Sequence, residues 1–290
     1  MGRFQREFDS RQYMLTDDFE LFHYRSSKLL NIEYHNHDFY ELYFLVSGKV
    51  TYYVEGRSYA LAPGDILILS DQEMHRPSQA NEDPYERIVV WIRPAYLRAL
   101  GAPDFPLTAC FEALPRGGGN QLRMDPAALQ EFRESLDDLE EAYGSEEPGS
   151  GLLRSAYFVE VMVRLNRAFR AAQEGRSPLD GEVAAAPSTR TARLIRFVND
   201  HIAEDLGLDR LAAEFYVSKY HMLREFRRHT GVTIHQYVLT KRLILARHHL
   251  RRGTPVAEVC RLCGFRDPSN FARLYRREYG LSPKEEALSL

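Results

Sequence analysis

Two helix–turn–helix patterns joined by one long helical run occupy the C-terminal part of the chain, and they restrict the fold more than any other feature. In the first, residues 208–215 carry apolar side chains at helical spacing, and Ser218 is a favourable N-cap for a second helix. In the second, Gly264 ends a helix and Asp267-Pro268 begins the next. Residues 234–252 predict a rigid connecting helix. Such a connector would hold two recognition helices about 34 Å apart, the spacing of successive major grooves on one side of a DNA duplex.

The second helix of each pattern presents polar and basic side chains on its outward face. Those expected to read base edges are Lys219, Tyr220, Leu223 and Arg224 in the first pattern and Ser269, Asn270 and Arg273 in the second. Five arginines are expected to hold phosphates, namely Arg227, Arg228, Arg266, Arg276 and Arg277. Leu223 is unusual in this set, because an apolar side chain can discriminate only through a feature such as the thymine methyl group.

Charge is distributed unevenly along the chain. Residues 189–290 contain 19 Lys and Arg against 11 Asp and Glu, a balance of +8, and the remainder contains 19 against 30, or −11, which together give the formal net charge of −3. Basic helix faces are often only solvated surface. Here the basic balance coincides with the double motif, so the sequence predicts a domain that binds nucleic-acid phosphates.

Residues 192–283 resemble the DNA-binding domain of the AraC-type transcriptional regulators, in which two helix–turn–helix units sit on a linker helix. The resemblance is carried by Ser218, Arg224, Phe226, Arg242-Leu243, Ala246, Gly264-Phe265-Arg266-Asp267, Phe271, Tyr275, Gly280 and Pro283. It implies a homodimer that binds double-stranded DNA and, if it is an activator, contacts RNA polymerase. Two positions depart from the family pattern. Tyr275 stands where Phe is usual, and Glu285-Glu286-Ala287 replaces a usual Tyr-Arg pair, which predicts the loss of a backbone contact at the end of the domain.

Length and composition are those of a globular protein. The 290 residues allow about two domains, and 44% of them are hydrophobic. Residues 1–7 lack the apolar run of a signal peptide, and no stretch reaches the length of a membrane span. Three cysteines give no disulfide framework, so we expect a cytoplasmic protein.

The pair Cys260-x-x-Cys263 has the spacing of a redox or zinc motif. Both cysteines fall on the inward face of a predicted helix, where a free Cys acts as a small hydrophobic residue. A structural zinc site would need two further ligands, and none is suitably spaced nearby. We therefore interpret the pair as part of the core.

Short strands at regular spacing predict a small barrel or sandwich between residues 31 and 97. The clearest strands are residues 41–46, 50–55, 66–69 and 87–92. Most of this segment resembles the cupin barrel that many AraC-type regulators carry as a sensor. The expected fold is therefore α+β with two domains: a cupin-like barrel at about residues 20–98, and an all-α double helix–turn–helix domain at residues 189–290.

The front of the barrel carries a chemically suggestive motif. His35-Asn36-His37, Glu41 and Gly48 have the spacing of the first motif of metal-binding cupins, and His75 is a candidate fourth ligand. His35, His37, Glu41 and Tyr43 share strand parity, so their side chains can converge on the barrel interior. Two imidazoles and a carboxylate suit a divalent ion such as zinc, iron or nickel.

The same residues can bind an organic effector without a metal, since a buried neutral His paired with Glu satisfies itself. We favour this interpretation, in which no cofactor is required and a divalent transition metal is the alternative. The expected effector-binding residues are His35, His37, Glu41, Tyr43, Arg57, His75 and Trp91. Polar groups of this kind suit a sugar or another small hydroxylated metabolite, because each buried hydroxyl needs a partner.

Two amphipathic helices are predicted after the barrel, at residues 126–143 and 152–172. They can serve as a cover for the barrel, and by the family resemblance as the dimer interface, which we favour. Residues 173–188 are small, polar and proline-containing, and they predict a linker between sensor and DNA-binding domain.

Together these features predict an effector-responsive transcriptional regulator in which a metabolite in residues 1–172 changes how two DNA-binding domains engage their sites. No catalytic residues are assigned, and the protein is not expected to be an enzyme. The alternative is a cupin metalloenzyme or metal sensor fused to a DNA-binding domain. A purely architectural DNA binder would not need the barrel.

Overall fold

The computed structural model describes residues 11–26, 32–79, 84–114, 119–175 and 190–288, and these form two compact units. The described residues up to 175, except 33–35, belong to the first unit; residues 190–288 belong to the second, and residues 33–35 group with it. The predicted linker lies, from residue 176 onward, outside the described residues. A β-rich first unit and a helical second unit confirm the expected fold class. No helix among the described residues is long and apolar enough to cross a membrane.

The described strands of the first unit form two antiparallel sheets. The larger has the order β1-β7-β2-β5-β8 and the smaller the order β4-β3-β6. The strands are β1 (Phe19–Ser26), β2 (Tyr40–Ser47), β3 (Val50–Val54), β4 (Arg57–Leu61), β5 (Ile66–Leu69), β6 (His75–Ser78), β7 (Tyr85–Ile92) and β8 (Gln121–Leu122). The sequence predicted β2, β3, β5 and β7 but missed the others, of which β8 has only two residues and β6 includes a proline.

Side chains of the larger sheet alternate between two cores. On β2, Tyr40, Leu42 and Phe44 join the core beneath the helices, whereas Tyr43 and Leu45 join the core between the two sheets. Because successive strand residues point to opposite faces, strands with both faces covered are buried throughout. The alternation therefore decides which polar residues face the barrel interior.

Four helices complete the described part of the first unit, namely α1 (Pro94–Leu100), α2 (Ala109–Glu112), α3 (Pro126–Gly144) and α4 (Ser150–Gln173). Asp125 caps α3, accepting hydrogen bonds from the backbone N–H groups of Ala127 and Ala128. Phe158 of α4 stacks on Phe19 of β1 with ring centroids 4.1 Å apart. The two long helices thus cover the outer face of the larger sheet.

His23 on β1 is fully buried between two carboxylates. Its Nδ1 lies 2.6 Å from Glu140 Oε1 on α3, and its Nε2 lies 2.7 Å from Glu86 Oε1 on β7. Burial alone would lower the pKa of His23, but the hydrogen bonds and charges of Glu140 and Glu86 outweigh it and raise the pKa above 6.5. Arg133 and Asp137 of α3 face the same small cavity. A protonated His23 therefore ties the sheet to the helix layer.

We expect this contact to make the first unit less stable at alkaline pH. A group whose pKa is raised on folding stabilises the protein fully below its unfolded pKa of 6.5, and the stabilisation is lost as pH rises through the folded pKa. Urea unfolding measured from acidic to alkaline pH should show the free energy of unfolding of the wild type falling relative to that of His23→Gln as the pH rises. Glu140→Gln should move that loss to lower pH. A constant difference between wild type and His23→Gln would contradict the assignment.

Seven helices form the described part of the second unit. They are α5 (Arg190–Asp200), α6 (Leu208–Glu214), α7 (Lys219–Thr230), α8 (Ile234–Leu250), α9 (Val256–Leu262), α10 (Pro268–Tyr279) and α11 (Pro283–Leu288). Ser218 caps α7 and Asp267 caps α10, as the sequence predicted, and Thr233 with Gln236 forms a capping box at α8. The two helix–turn–helix units are therefore α6–α7 and α9–α10, with α8 between them.

Arg242, in the middle of α8, hydrogen-bonds the loop after α5, and this loop packs against the turn of the second helix–turn–helix unit. Its Nε donates to the carbonyl of Ile202 at 3.0 Å and its NH2 group donates to that of Glu204 at 2.6 Å. Gly264 makes the close approach possible, since a Cβ there would lie 2.8 Å from Ala203 O and 3.0 Å from Arg242 Cζ. Gly264 also has a φ of +74°, which favours glycine.

The two positions that depart from the family pattern, Tyr275 and Glu286, interact directly with each other. The hydroxyl of Tyr275 on α10 donates to Glu286 Oε2 on α11 at 3.0 Å. Glu286 Oε1 accepts from Arg251 Nε at 2.7 Å and lies 3.3 Å from Arg247 Nε. Burial alone would raise the pKa of Glu286, but these donors and charges lower it. The substituted C-terminus is thus held against α8 and α10.

We expect Tyr275→Phe to lower the free energy of unfolding by about 1 kcal/mol, because it removes the donor to a buried carboxylate. Glu286→Gln should cost at least as much. The double variant should cost less than the sum, since both changes break the same hydrogen bond. Tyr279→Phe is the matched control, as no hydrogen bond of its hydroxyl is found within residues 190–288. Strict additivity in urea denaturation would disprove the coupling.

Candidate functional site

The outward face of α7 is basic and accessible. Lys219, Tyr220, Arg224, Arg227 and Arg228 are exposed, as expected of a helix that meets DNA. Leu223, predicted to point outward, is half-buried and so presents only part of its side chain to a partner. The amphipathic pattern puts Leu223 next to the apolar stripe of α7. In the structure it lies at the boundary between the buried and the exposed face of that helix.

The α10 helix shows a similar face. Ser269, Arg273, Arg276 and Arg277 are exposed, while Asn270 is half-buried. The NH2 group of Arg273 donates to Asn270 Oδ1 at 2.8 Å, so these two predicted base readers orient each other. A fixed amide–guanidinium pair presents donors in a defined geometry, which suits readout of base edges.

Several of the basic side chains make ion pairs within the unit. Lys219 Nζ lies 2.5 Å from Asp209 Oδ1, and the NH2 group of Arg266 lies 2.9 Å from Asp205 Oδ2. All four side chains in these pairs are largely exposed, Lys219 the least at 49%. Exposed pairs contribute little to stability, typically below about 1 kcal/mol, so these cations remain available to phosphates.

The interior of the barrel contains a buried carboxylate with fixed partners. Glu41 and Trp91 are register partners on β2 and β7, and Trp91 Nε1 donates to Glu41 Oε2 at 2.9 Å. The same oxygen lies 3.4 Å from His37 Nε2. Three of the predicted site residues therefore meet in one place.

His37 and His75 lie close together, edge to face, and each hydrogen-bonds a backbone carbonyl through Nδ1. Their ring centroids are 4.9 Å apart. Nδ1 of His37 is 2.8 Å from the carbonyl oxygen of Phe39, and Nδ1 of His75 is 3.0 Å from that of Glu73. A carbonyl can only accept, so Nδ1 of each ring carries a proton. Neutral rings of this tautomer can accept a hydrogen bond from a hydroxyl or ligate a metal ion through Nε2.

His35 makes the same kind of bond, with Nδ1 2.9 Å from the carbonyl oxygen of Glu33. By its contacts it belongs to the second unit, whereas His37 and His75 belong to the first. The parity argument grouped His35 with Glu41, but His35 precedes β2, which begins at Tyr40, so strand parity does not govern its side chain.

Tyr43 projects into the core between the sheets, as predicted. Its hydroxyl is fully buried and finds no hydrogen-bond partner among the described residues. Burial raises the pKa of Tyr43 well above its ordinary value, so the hydroxyl stays protonated and can donate. Arg57 lies at the start of β4, half-buried, and its Nε also has no partner in the described part of the chain. Both groups are suited to a polar ligand.

Sequence reasoning missed further polar residues that face the same interior. Arg87 on β7 is buried, with its guanidinium 4.9 Å from the ring centroid of Tyr24 and 4.4 Å from that of Tyr85. Tyr52 on β3 packs edge-on against Tyr43 at 4.8 Å. Parity along β7 gives the signal, because Arg87 lies four residues before Trp91 and shares its face.

The CxxC pair is buried, in accordance with the core interpretation. Cys260 and Cys263 pack with Phe271 and Tyr275 in one cluster. Burial raises the pKa of both thiols, that of Cys263 to about 12. Neither thiol is therefore an activated nucleophile.

Comparison with known proteins follows the same division of the chain. A family model described as a helix-turn-helix domain matches residues 211–287, and one described as an AraC-like ligand binding domain matches residues 20–162.

The chain is similar to the HTH-type transcriptional activator RhaS of Escherichia fergusonii, 26% identical over 252 residues that cover 87% of this chain and 86% of that protein. RhaS of Salmonella arizonae is 26% identical over 256 residues, with the same coverage of 87% and 86%. Among solved structures, the DNA-binding domain of AdpA in complex with a target DNA is 31% identical, covering 34% of this chain and 91% of that one, with a TM-score of 0.33.

Proposed function

The chain belongs to the AraC-type family of transcriptional regulators, and from that premise we propose that a sugar or another small polar metabolite in its barrel controls how it binds promoter DNA. The observation that carries the proposal is that one chain has both a polar barrel interior around Glu41 and Tyr43 and two basic recognition helices, α7 and α10, joined through α8. Residues 1–172 sense the effector and dimerise, residues 173–188 link, and residues 189–290 bind DNA in the cytoplasm. As an activator it would contact RNA polymerase there.

The barrel supports a hydroxylated ligand because it offers both acceptors and donors. Glu41 and the Nε2 atoms of His37 and His75 accept hydrogen bonds, whereas Tyr43 and Arg57 donate. A sugar needs both kinds of contact, since each of its hydroxyls is paired on burial.

Effector binding can be tested on the full chain with a panel of monosaccharides and sugar acids. A ligand that binds the barrel should raise the unfolding temperature of the wild type in proportion to its concentration. We expect Tyr43→Phe to weaken such a ligand about 5- to 10-fold, because it removes one buried donor without changing packing. Tyr96→Phe, which changes a half-buried tyrosine packed beneath the helices, should leave the affinity unchanged. Equal affinity for wild type and Tyr43→Phe would remove Tyr43 from the site.

DNA readout by α7 gives a second test. A duplex selected by the wild type from a randomised pool serves as the specific site, and a random duplex serves as the reference. Arg224→Ala should weaken the selected duplex by about 1–3 kcal/mol and spare the random one, as expected of a base contact. Arg228→Ala should weaken both equally and reduce the salt dependence, as expected of a phosphate contact. If Arg224→Ala weakened both duplexes equally, Arg224 would be a phosphate contact as well.

A metal in the barrel is the second candidate, and the orientation of two imidazoles favours it. His37 and His75 both hold Nδ1–H on a backbone carbonyl, the arrangement that aims Nε2 of a metal-ligating histidine, and Glu41 lies beside His37. Two imidazoles and a carboxylate would suit zinc, iron or nickel. In that case the protein would be a metal sensor or a metalloenzyme fused to a DNA-binding domain.

Metal analysis of the purified full-length protein separates the two candidates. A resident metal should approach one ion per chain and be lost from His37→Ala and His75→Ala. His229→Ala is the matched control, because its Nδ1 bonds the carbonyl of Glu225 in the same manner on α7. Wild type free of transition metal would leave the organic effector as the sole candidate.

A further inference from the structure

The two helix–turn–helix turns have the same hydrogen bonds but different residues at their left-handed position. After α6, the N–H groups of Tyr216 and Val217 donate to the carbonyls of Ala213 and Ala212 at 3.3 and 3.1 Å. After α9, those of Gly264 and Phe265 donate to Arg261 and Cys260 at 3.1 and 2.9 Å. This is the Schellman pattern of helix termination, in which glycine is the usual left-handed residue.

Tyr216 occupies that position in a strained conformation. Its φ is +52°, whereas the equivalent Gly264 has +74°. In an L-residue this region brings Cβ close to the following carbonyl oxygen, and a bulky side chain there is an outlier. A glycine would close the turn without strain, so the tyrosine is unfavourable for folding at this point.

Among the described residues, no hydrogen bond, aromatic contact or cation of the Tyr216 side chain offsets the strain. It is 95% exposed, the largest exposure among the large hydrophobic residues of the described regions. Within those regions its hydroxyl has no hydrogen bond and its ring has no aromatic neighbour or cation. A strained, fully exposed aromatic residue points to a contact made with another molecule.

The position of Tyr216 identifies that molecule. It precedes Ser218, the N-cap of the recognition helix α7, by two residues, and the exposed Lys219 and Tyr220 follow directly. The N-terminal part of a recognition helix enters the major groove, which brings the preceding turn to the groove edge beside the sugar–phosphate backbone. Tyrosine hydroxyls donate to phosphate oxygens in such contacts.

We propose that Tyr216 is a DNA-contacting residue whose hydroxyl donates to a phosphate and whose ring packs on the adjoining deoxyribose. The proposal rests on the DNA-binding function of the second unit. The contact is independent of base sequence, so it positions α7 in the groove and leaves specificity to the residues of the helix face. The strain in the turn is the cost of holding the ring outward.

Three substitutions of Tyr216 in the full-length protein separate contact from strain. Binding is measured on a labelled random-sequence duplex, and stability by thermal unfolding. Tyr216→Phe, which removes only the hydroxyl, should weaken binding about 3-fold. Tyr216→Gly should weaken it about 10-fold while raising the unfolding temperature by about 2–5 °C, because glycine relieves the strain. Tyr216→Ala keeps the strained Cβ, so it should weaken binding equally without the rise in temperature.

The salt dependence of binding should stay unchanged in all three variants, because tyrosine carries no charge. Tyr13→Ala, which removes an exposed tyrosine of the first unit, is the control and should bind as wild type does. Wild-type affinity in Tyr216→Gly and Tyr216→Ala would overturn the proposal and direct the search to a protein partner. If the wild type itself failed to bind the duplex, the DNA-binding function would fall instead.

Discussion

The DNA-binding unit depends on one arginine in the middle of its connecting helix. Arg242 of α8 holds the loop at residues 202–204 by two backbone carbonyls, and that loop lies against Gly264 in the turn of the second helix–turn–helix. A planar guanidinium can bind both carbonyls at once in a fixed direction. Because the loop leads into α6, the same contact sets the first helix–turn–helix unit relative to the second. The spacing that two successive major grooves require therefore rests on this contact together with the stiffness of α8.

Buried carboxylates play comparable roles in both units. Glu286 joins α8, α10 and α11 by accepting from Arg251 and Tyr275, and Glu41 joins β2 to β7 through Trp91. Each accepts hydrogen bonds from side-chain donors, which offset the cost of burying a carboxyl group. They differ in purpose. Glu286 is enclosed by its own chain, whereas Glu41 lies beside imidazoles and a tyrosine hydroxyl that remain suited to a ligand.

The first unit separates support from recognition by strand parity alone. One face of β2 and β7 packs under α3 and α4, and the other faces the interior between the sheets. Residues on the helix side belong to one hydrophobic core, and those on the interior side, among them the proposed effector-binding residues Tyr43 and Trp91, belong to the other. His23 is a buried polar residue on the helix side, and Glu86 and Glu140 compensate its burial. At the DNA-binding end, Tyr216 shows the converse situation, in which folding is made slightly less favourable for the sake of an external contact.

The sequence by itself determined the features that depend on near neighbours in the chain. Caps such as Ser218 and Asp267 bond groups two or three residues away, and helical periodicity placed both recognition helices and their exposed arginines. Tertiary structure alone decided the pairings across distance: Trp91 with Glu41 needs the β2–β7 register, and Tyr275 with Glu286 needs α11 folded back on α10. It also decided that Leu223 is half-buried and that Tyr216 is strained, since burial depends on packing partners and φ depends on how the turn closes. Local interactions follow from which residues are neighbours in the sequence. The long-range pairings, the burial of Leu223 and the φ of Tyr216 depend instead on which segments the folded chain brings together.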